Sequence, residues 1–194
     1  MVEVAIREEG GWVDLPPKPW PNFVRLSGSA SDSDIALLLA VASSYGRGEE
    51  LTAATPNALF EKFPHVLPGG IAVVASDRSI FPSCCCGLET WPEWTKVVKT
   101  GASPWMGHDP SPLVEVVEDG VRVWTDGAMG DKPAGEQPVV FSRAAFAAAL
   151  DRAIEDLEGF VPLLRRWLGL HAPDRAKGLT AKFKSTFLQP ERRE

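Results

Sequence analysis

The sequence predicts an α+β fold, in which a small, mostly antiparallel sheet packs against helices and a long, kinked helix lies near the C-terminus. Valines alternate with polar residues over residues 113–126, on both sides of Asp119-Gly120, and this pattern is typical of a β-hairpin. Apolar residues between Phe146 and Leu168 recur at helical spacing. The apolar run over residues 71–75 follows a proline and two glycines, which indicates a short buried strand.

Short elements separated by loops are expected before residue 82, each from strand alternation, a capping side chain or a proline. They are an opening strand (Val2, Val4, Ile6), an extended proline-rich segment (10–21) flanked by Trp12 and Trp20, a helix over 34–45 capped by Asp32 or Ser33 and ended by Gly46, a short helix after Thr55-Pro56, and a strand at Ile80-Phe81 that partners 71–75. Pro64 ends the second helix, because proline lacks a backbone donor and restricts the residue before it.

Two further helices are expected on either side of the hairpin. Thr90-Trp91-Pro92-Glu93 reads as a capping box, so a helix follows to about Lys99 and ends at Gly101. The last helix follows a strand at 139–141. Its expected features are a cap at Ser142, packing of Phe141 on Phe146, and a kink or break at Gly159 and Pro162.

Within the hairpin, alternation assigns each side chain to one of two faces. The core face is expected to hold Val114, Val116, Val121 and Val123, and the opposite face Glu115, Arg122 and Trp124. Residues 1–170 are expected to form a single α+β domain, and residues 171–194 a basic C-terminal tail.

Charge is distributed unevenly along the 194 residues, whose formal net charge is −6. Residues 84–138 carry nine acidic and four basic side chains, so the centre of the chain is the most acidic part. An acidic surface disfavours nucleic acid and favours a basic protein partner. The N-terminus lacks a signal-peptide pattern and no apolar run is long enough to span a membrane, so a cytoplasmic location without membrane contact is expected.

Three consecutive cysteines, Cys84, Cys85 and Cys86, are the first candidate site. Buried cysteines often pack as small apolar side chains, and this is one interpretation of the run. A metal site of Cys84, Cys86 and His108 is a second interpretation. Adjacent side chains of an extended strand point to opposite faces, so two neighbouring sulfurs can share one ion only if the backbone bends.

A catalytic Cys–His pair is a further hypothesis for the same segment. Cys86 precedes the predicted helix, whose N-terminus favours a thiolate, and His108 with Asp109 or Asp126 supplies a base and a group to orient it. Pro110 and Pro112 restrict the chain around His108 and Asp109, which is equally consistent with a structural loop.

Tryptophans next to polar residues suggest a binding surface. Trp105, Trp124, His108, Asp109, Glu115 and Arg122 are its expected members. If another element covers the Trp124 face, these residues belong to the core instead. The sequence leaves these two alternatives open.

No nucleotide-binding, metalloprotease or serine-hydrolase motif occurs in the chain. The sequence therefore favours a non-enzymatic cytosolic protein-binding domain, of which an immunity-type or toxin-neutralising protein with an acidic docking surface is one concrete version. The alternative is a hydrolase or transferase that uses Cys86 and His108. No cofactor is expected, and the oligomeric state is left open.

Overall fold

A computed structural model describes residues 23–44, 56–76 and 78–188. It confirms the α+β class, with two antiparallel sheets of two and three strands and five α-helices in the described residues. The strands are β1 (Val73–Val74), β2 (Ser79–Ile80), β3 (Leu113–Val117), β4 (Gly120–Trp124) and β5 (Val139–Phe141). The helices are α1 (Asp32–Ser44), α2 (Pro56–Glu61), α3 (Val97–Thr100), α4 (Arg143–His171) and α5 (Pro173–Phe183). A 3₁₀ segment (Leu88–Lys96) precedes α3, and a π-helical turn (Lys184–Leu188) follows α5.

The chain divides into two compact units. In the described residues, the first unit comprises 68–153, and the second comprises 23–44, 56–67 and 154–188. Residues 173–188, which the sequence assigns to the basic tail, are helical and bury Phe183 and Phe187 within the second unit. The boundary between a domain over 1–170 and a tail over 171–194 stays a prediction.

The first unit is built around the hairpin of β3 and β4, with β5 on the other side of β4. Val114 pairs with Val123 and Val116 with Val121, and this register places the valines on the face predicted for them. The core on that face consists of Val73, Ile80, Trp94, Val97, Met106, Val114, Val121, Val123, Val139 and Phe146. The predicted β1–β2 pair is also present, with Val73 opposite Ile80.

The hairpin turn lies one residue earlier than the sequence predicts. Val117 pairs with Gly120, so Glu118 and Asp119 form the loop. Gly120 is instead a buried residue of strand β4. A glycine is needed there because a Cβ at this position would overlap the carbonyl oxygen of Phe141 in β5. The faces are unaffected, since the partner of each residue changes by two positions and side chains alternate with a period of two.

The helix caps differ in part from the expectation. α1 is capped by Ser31 rather than Asp32 or Ser33: the Ser31 Oγ accepts from the Asp34 N–H at 3.1 Å, and the Asp34 carboxylate accepts from the Ser31 N–H at 2.8 Å. This reciprocal pair needs an acid three residues after the cap, and only Ser31 has one in that position. Before α4, Ser142 accepts from the Ala145 N–H as predicted.

The long helix α4 runs without a break. Pro162 lies inside its 29 residues, so the helix is not split there. The predicted contact of Phe141 with Phe146 is confirmed, with ring centroids 6.2 Å apart. No helix in the described residues combines the length and apolar character needed to cross a membrane.

The second unit is helical. α2 contacts both α1 and α5. The largest buried side chains of the second unit include Phe160, Phe183 and Phe187. The ring centroid of Phe183 lies 5.7 Å from that of Phe160 and 5.2 Å from that of Phe187. The predicted strand at residues 2–6, the segment 10–21 with Trp12 and Trp20, and the exit at Gly46 lie outside the described residues.

Candidate functional site

The cysteine run lies beside the loop that carries His108. Cys84 and His108 form an isolated antiparallel bridge, in which the His108 N–H donates to the Cys84 carbonyl at 3.3 Å. The Ser83 N–H donates to the Met106 carbonyl at 2.8 Å. Residues 83–84 and 106–108 therefore lie side by side, although they are more than twenty positions apart in the sequence.

The backbone bends at Cys85. Its φ is 62°, in the left-handed region that non-glycine residues rarely adopt. The alternation of an extended strand is lost at this point, and a ring nitrogen of His108 lies within 4.8 Å of both the Cys84 and the Cys85 sulfur, which are within the same distance of each other. The structure thus supplies the bend that two neighbouring sulfurs need to share one ion.

Cys84 is the thiol in contact with His108. Its Sγ lies 2.8 Å from His108 Nδ1 and 2.7 Å from the His108 carbonyl oxygen. A thiol carries one proton, so when it donates to the carbonyl its sulfur accepts from Nδ1–H. The Asp109 carboxylate lies 3.8 Å from the same Nδ1 atom, on a side chain that is 95% exposed.

Cys86 points elsewhere. It is buried, and its Sγ contacts the Trp105 carbonyl at 3.3 Å and the Thr90 hydroxyl at 3.8 Å. Burial raises the pKa of the Cys86 thiol, and the Thr90 hydroxyl opposes that shift. The sulfurs grouped with the His108 ring are therefore those of Cys84 and Cys85, whereas the sequence-based hypotheses pair Cys86 with His108.

The predicted capping box is not formed, because its two partners hold other groups. The Thr90 hydroxyl donates to the Gly87 carbonyl at 2.7 Å, and the Glu93 carboxylate accepts from the Trp105 N–H at 2.8 Å. The Trp105 indole then donates to the Cys85 carbonyl at 2.9 Å. Trp105, predicted as part of a binding surface, therefore anchors the carbonyl of the bent residue.

Glycine is required at position 107. Its φ is 94°, and a Cβ there would overlap the Cys84 carbonyl and the Ser83 hydroxyl. The Ser83 hydroxyl lies 2.6 Å from the Pro110 carbonyl, to which it donates. These contacts fix the loop that presents His108. Sequence analysis did not identify Ser83 or Gly107, and it left Cys85 out of the metal and catalytic sets. The one available signal for the loop was a glycine directly before the histidine.

Gly107→Ala is expected to destabilise the first unit more than Gly135→Ala. Gly135 also has a positive φ, 77°, but no atom lies within 4 Å of the position of its Cβ. Gly135→Ala therefore carries only the left-handed penalty of about 1–2 kcal/mol, whereas Gly107→Ala also displaces the backbone of residues 83–84. Urea unfolding of both variants measures the difference, and equal losses would show that the close approach at Gly107 is unimportant.

Asp126 is bound within its own loop. Its Oδ1 accepts from the Ser111 N–H at 2.9 Å and from the Gly127 N–H at 2.8 Å. It does not contact His108 through a hydrogen bond in the described residues. No contact therefore supports Asp126 as the acid that orients His108. Asp126 lines a neighbouring cavity together with His108 and Asp109.

Trp124 is half-buried on the outer face of the hairpin, next to exposed Arg122. Its indole donates to the Glu115 carboxylate at 2.7 Å, and Lys132 binds the other Glu115 oxygen at 2.6 Å while lying 4.8 Å from the centre of the Trp124 ring. The Lys132 hydrogen bond lowers the pKa of Glu115. Trp124 is thus half-buried and bound to side chains of its own face, while Val140 on the same face is 60% exposed.

Comparisons of the chain with protein-family models, curated proteins and solved structures give no significant match. The proposals below therefore depend on the geometry and chemistry of the site alone. Fold-level analogy contributes nothing to them.

Proposed function

We propose that the first unit binds a zinc-type transition-metal ion through Cys84, Cys85 and His108. The observation that supports this function most is the clustering of two sulfurs and one ring nitrogen within 4.8 Å of one another. In the described residues this is the only such group of three or more histidine, cysteine or acidic side chains. Thiolate and imidazole are the ligands that Zn²⁺ prefers, and three protein ligands leave one coordination position for water or substrate.

The distances are close to those around an ion. About a tetrahedral zinc, a sulfur and a nitrogen ligand are roughly 3.5 Å apart and two sulfurs roughly 3.8 Å apart. The Cys84 Sγ to His108 Nδ1 separation of 2.8 Å has to widen slightly for an ion to enter. The partly exposed His108 ring and the exposed Cys85 side chain give this site freedom to adjust.

The electrostatics of the site also favour a cation. The pKa of Cys85 is raised, first by desolvation of the Cys85 sulfur and then by the charge of neighbouring Cys84. Because of this second cause, ionisation of one thiol opposes ionisation of the other. A dication removes this penalty, because it balances two thiolate charges. Since the ligands must lose protons on binding, the apparent affinity should rise with pH.

The first test is a zinc titration of the reduced, metal-free protein against a chromophoric chelator. We expect one Zn²⁺ per chain and, with Co²⁺ in its place, a thiolate-to-metal charge-transfer band. The bound ion should stabilise the fold, by about 2.7 kcal/mol when free zinc is 100 times Kd. A protein that leaves the chelator saturated and gives no cobalt band would contradict the proposal.

A thiol-dependent hydrolase or transferase is the second function with a specific observation in its favour, the 2.8 Å contact of Cys84 with His108. A nucleophilic thiol needs a base within this reach. In a catalytic triad the acid and the nucleophile bind opposite nitrogens of the histidine ring. Here both the Asp109 carboxylate and the Cys84 sulfur approach Nδ1 of His108, so the arrangement differs from a triad. Absence of zinc binding, with rapid His108-dependent alkylation of Cys84, would favour this function.

Protein binding by an acidic docking surface, as in an immunity-type or toxin-neutralising protein, stays a prediction. It rests on the acidic centre of the sequence. A metal site and a docking surface are compatible, because many metal-stabilised domains bind partners. The zinc titration therefore does not decide this point.

A further inference from the structure

An acidic cavity lies next to the proposed zinc site and includes His108 in its lining. It has a volume of about 410 Å³ and is lined by His108, Asp109, Ser111, Asp126, Met129 and Asp131, among others. This volume lies within the range of small-molecule sites, about 300–1,000 Å³. The cavity belongs wholly to the first unit.

The charge of the lining is negative. Three of the lining side chains are carboxylates, Asp109, Asp126 and Asp131, and none is lysine or arginine. The neighbouring Lys132 is bound to Glu115 and lies over Trp124. A concave site lined by one sign of charge concentrates ligands of the opposite sign.

The spacing of the carboxylates does not match a calcium site built from protein oxygens alone. Calcium takes six to eight oxygens at about 2.3–2.6 Å, which requires the ligand oxygens to be close together. Among the described residues, no three acidic or histidine side chains of this cavity bring their ligand atoms within 4.8 Å of one another. The carboxylates suit a larger cation that reaches from one to another.

Ser111 supplies a separate observation. Its side chain is only 4% exposed, and its Oγ has no hydrogen-bond partner among the described residues. An unpartnered buried hydroxyl is unfavourable and calls for an explanation. Ser111 lines the cavity next to Asp126, so rotation to another staggered position can offer the hydroxyl to a ligand.

We propose that this cavity binds an organic cation that carries an ammonium or guanidinium group. Asp126 and Asp131 pair with the charge, Ser111 hydrogen-bonds to it, and the 67% exposed Met129 contacts its aliphatic chain. The Asp126 Oδ1 already accepts two backbone N–H groups, which leaves Oδ2 for the ligand. The cation is either a free amine or an arginine or lysine side chain of a protein.

The test is an NMR titration of the ¹⁵N-labelled protein with agmatine, with a capped Gly-Gly-Arg-Gly-Gly peptide, and with neutral 1,4-butanediol. We expect both cations to shift the amide signals of Ser111, Gly127 and Gly130, and the diol to leave them unchanged. Tighter binding of the peptide assigns the cation to a protein side chain, and equal or tighter binding of agmatine assigns it to a free amine. Equal shifts with the diol and with agmatine would overturn the proposal.

Variants locate the site. Asp126→Asn should weaken binding about tenfold, since it removes a charge-assisted hydrogen bond to the ligand, and exposed Asp131→Asn about two- to fivefold. Asp119→Asn makes the same charge change in the hairpin loop and should leave Kd unaltered. Ser111→Ala should weaken binding without destabilising the free protein, because it removes an unpartnered hydroxyl. Equal changes in Kd for Asp119→Asn and Asp126→Asn would show that the cation responds only to the net charge of the protein, and would overturn the proposed site.

The cavity shares His108 with the proposed zinc site, so the two proposals are separated by a variant of a zinc ligand outside the cavity. Cys85→Ser removes a zinc ligand that does not line the cavity, so cation binding should persist in this variant. Loss of zinc binding with retained agmatine binding, or the reverse, therefore separates the two proposals.

Discussion

Zinc affinity is expected to fall by at least about 1,000-fold in each of the variants Cys84→Ser, Cys85→Ser and His108→Ala. Loss of a group that merely orients a ligand weakens metal binding about 10–100-fold, and loss of a ligand itself has a larger effect. Serine has the shape of cysteine but does not supply a thiolate at neutral pH. Competition with a chelator of known affinity measures each Kd.

Cys86→Ala is the matched control for these variants. It removes the third sulfur of the run, which contacts Trp105 and Thr90 rather than His108. We expect unchanged zinc affinity and a loss of about 1 kcal/mol in stability from the small cavity. Cys85→Ser should leave the stability of the metal-free fold nearly unaltered, because Cys85 is exposed. A Cys86→Ala protein that loses zinc while Cys85→Ser retains it would contradict the assignment of ligands.

The fold class followed from the sequence because binary patterning determines which face of each strand is buried. The valine faces of the hairpin were correct even though the turn was placed at Asp119-Gly120. The misplaced turn has a tertiary cause: Gly120 allows the close approach of the Phe141 carbonyl in β5 and does not adopt a positive φ. Local turn propensity contains no information about that neighbour.

The site was only partly accessible to sequence analysis. The cysteine run and His108 stand out by residue type. The catalytic hypothesis chose Cys86 because it precedes the predicted helix, and the metal hypothesis combined Cys84 with Cys86 because alternation places neighbouring side chains on opposite faces. The bend at Cys85 accompanies pairing of residues 83–84 with 106–108 and the hydrogen bond from the Trp105 indole to the Cys85 carbonyl. Such long-range contacts leave no periodic signal in the sequence. Glu93 shows the same limitation, since its expected local cap is replaced by a contact with Trp105 twelve residues away.

Phe183→Ala is expected to destabilise the second unit by about 3–5 kcal/mol, the usual cost of removing a buried phenylalanine side chain. Phe183 is 2% exposed and packs between the rings of Phe160 and Phe187, at centroid distances of 5.7 Å and 5.2 Å. The residue lies in the segment that composition assigned to a basic tail, so the variant also tests whether that segment is part of the folded core. Urea unfolding followed by circular dichroism gives the change in free energy.

Leu170→Ala is the matched control, because it also removes a large apolar side chain near the C-terminus, but from a position that is 73% exposed. Its expected cost is below about 0.5 kcal/mol, as is usual for surface substitutions. Zinc affinity should be the same in both folded variants, since the proposed ligands belong to the first unit. Equal stability of Phe183→Ala and Leu170→Ala would show that residues 173–188 contribute little to the core, as a loosely attached tail would.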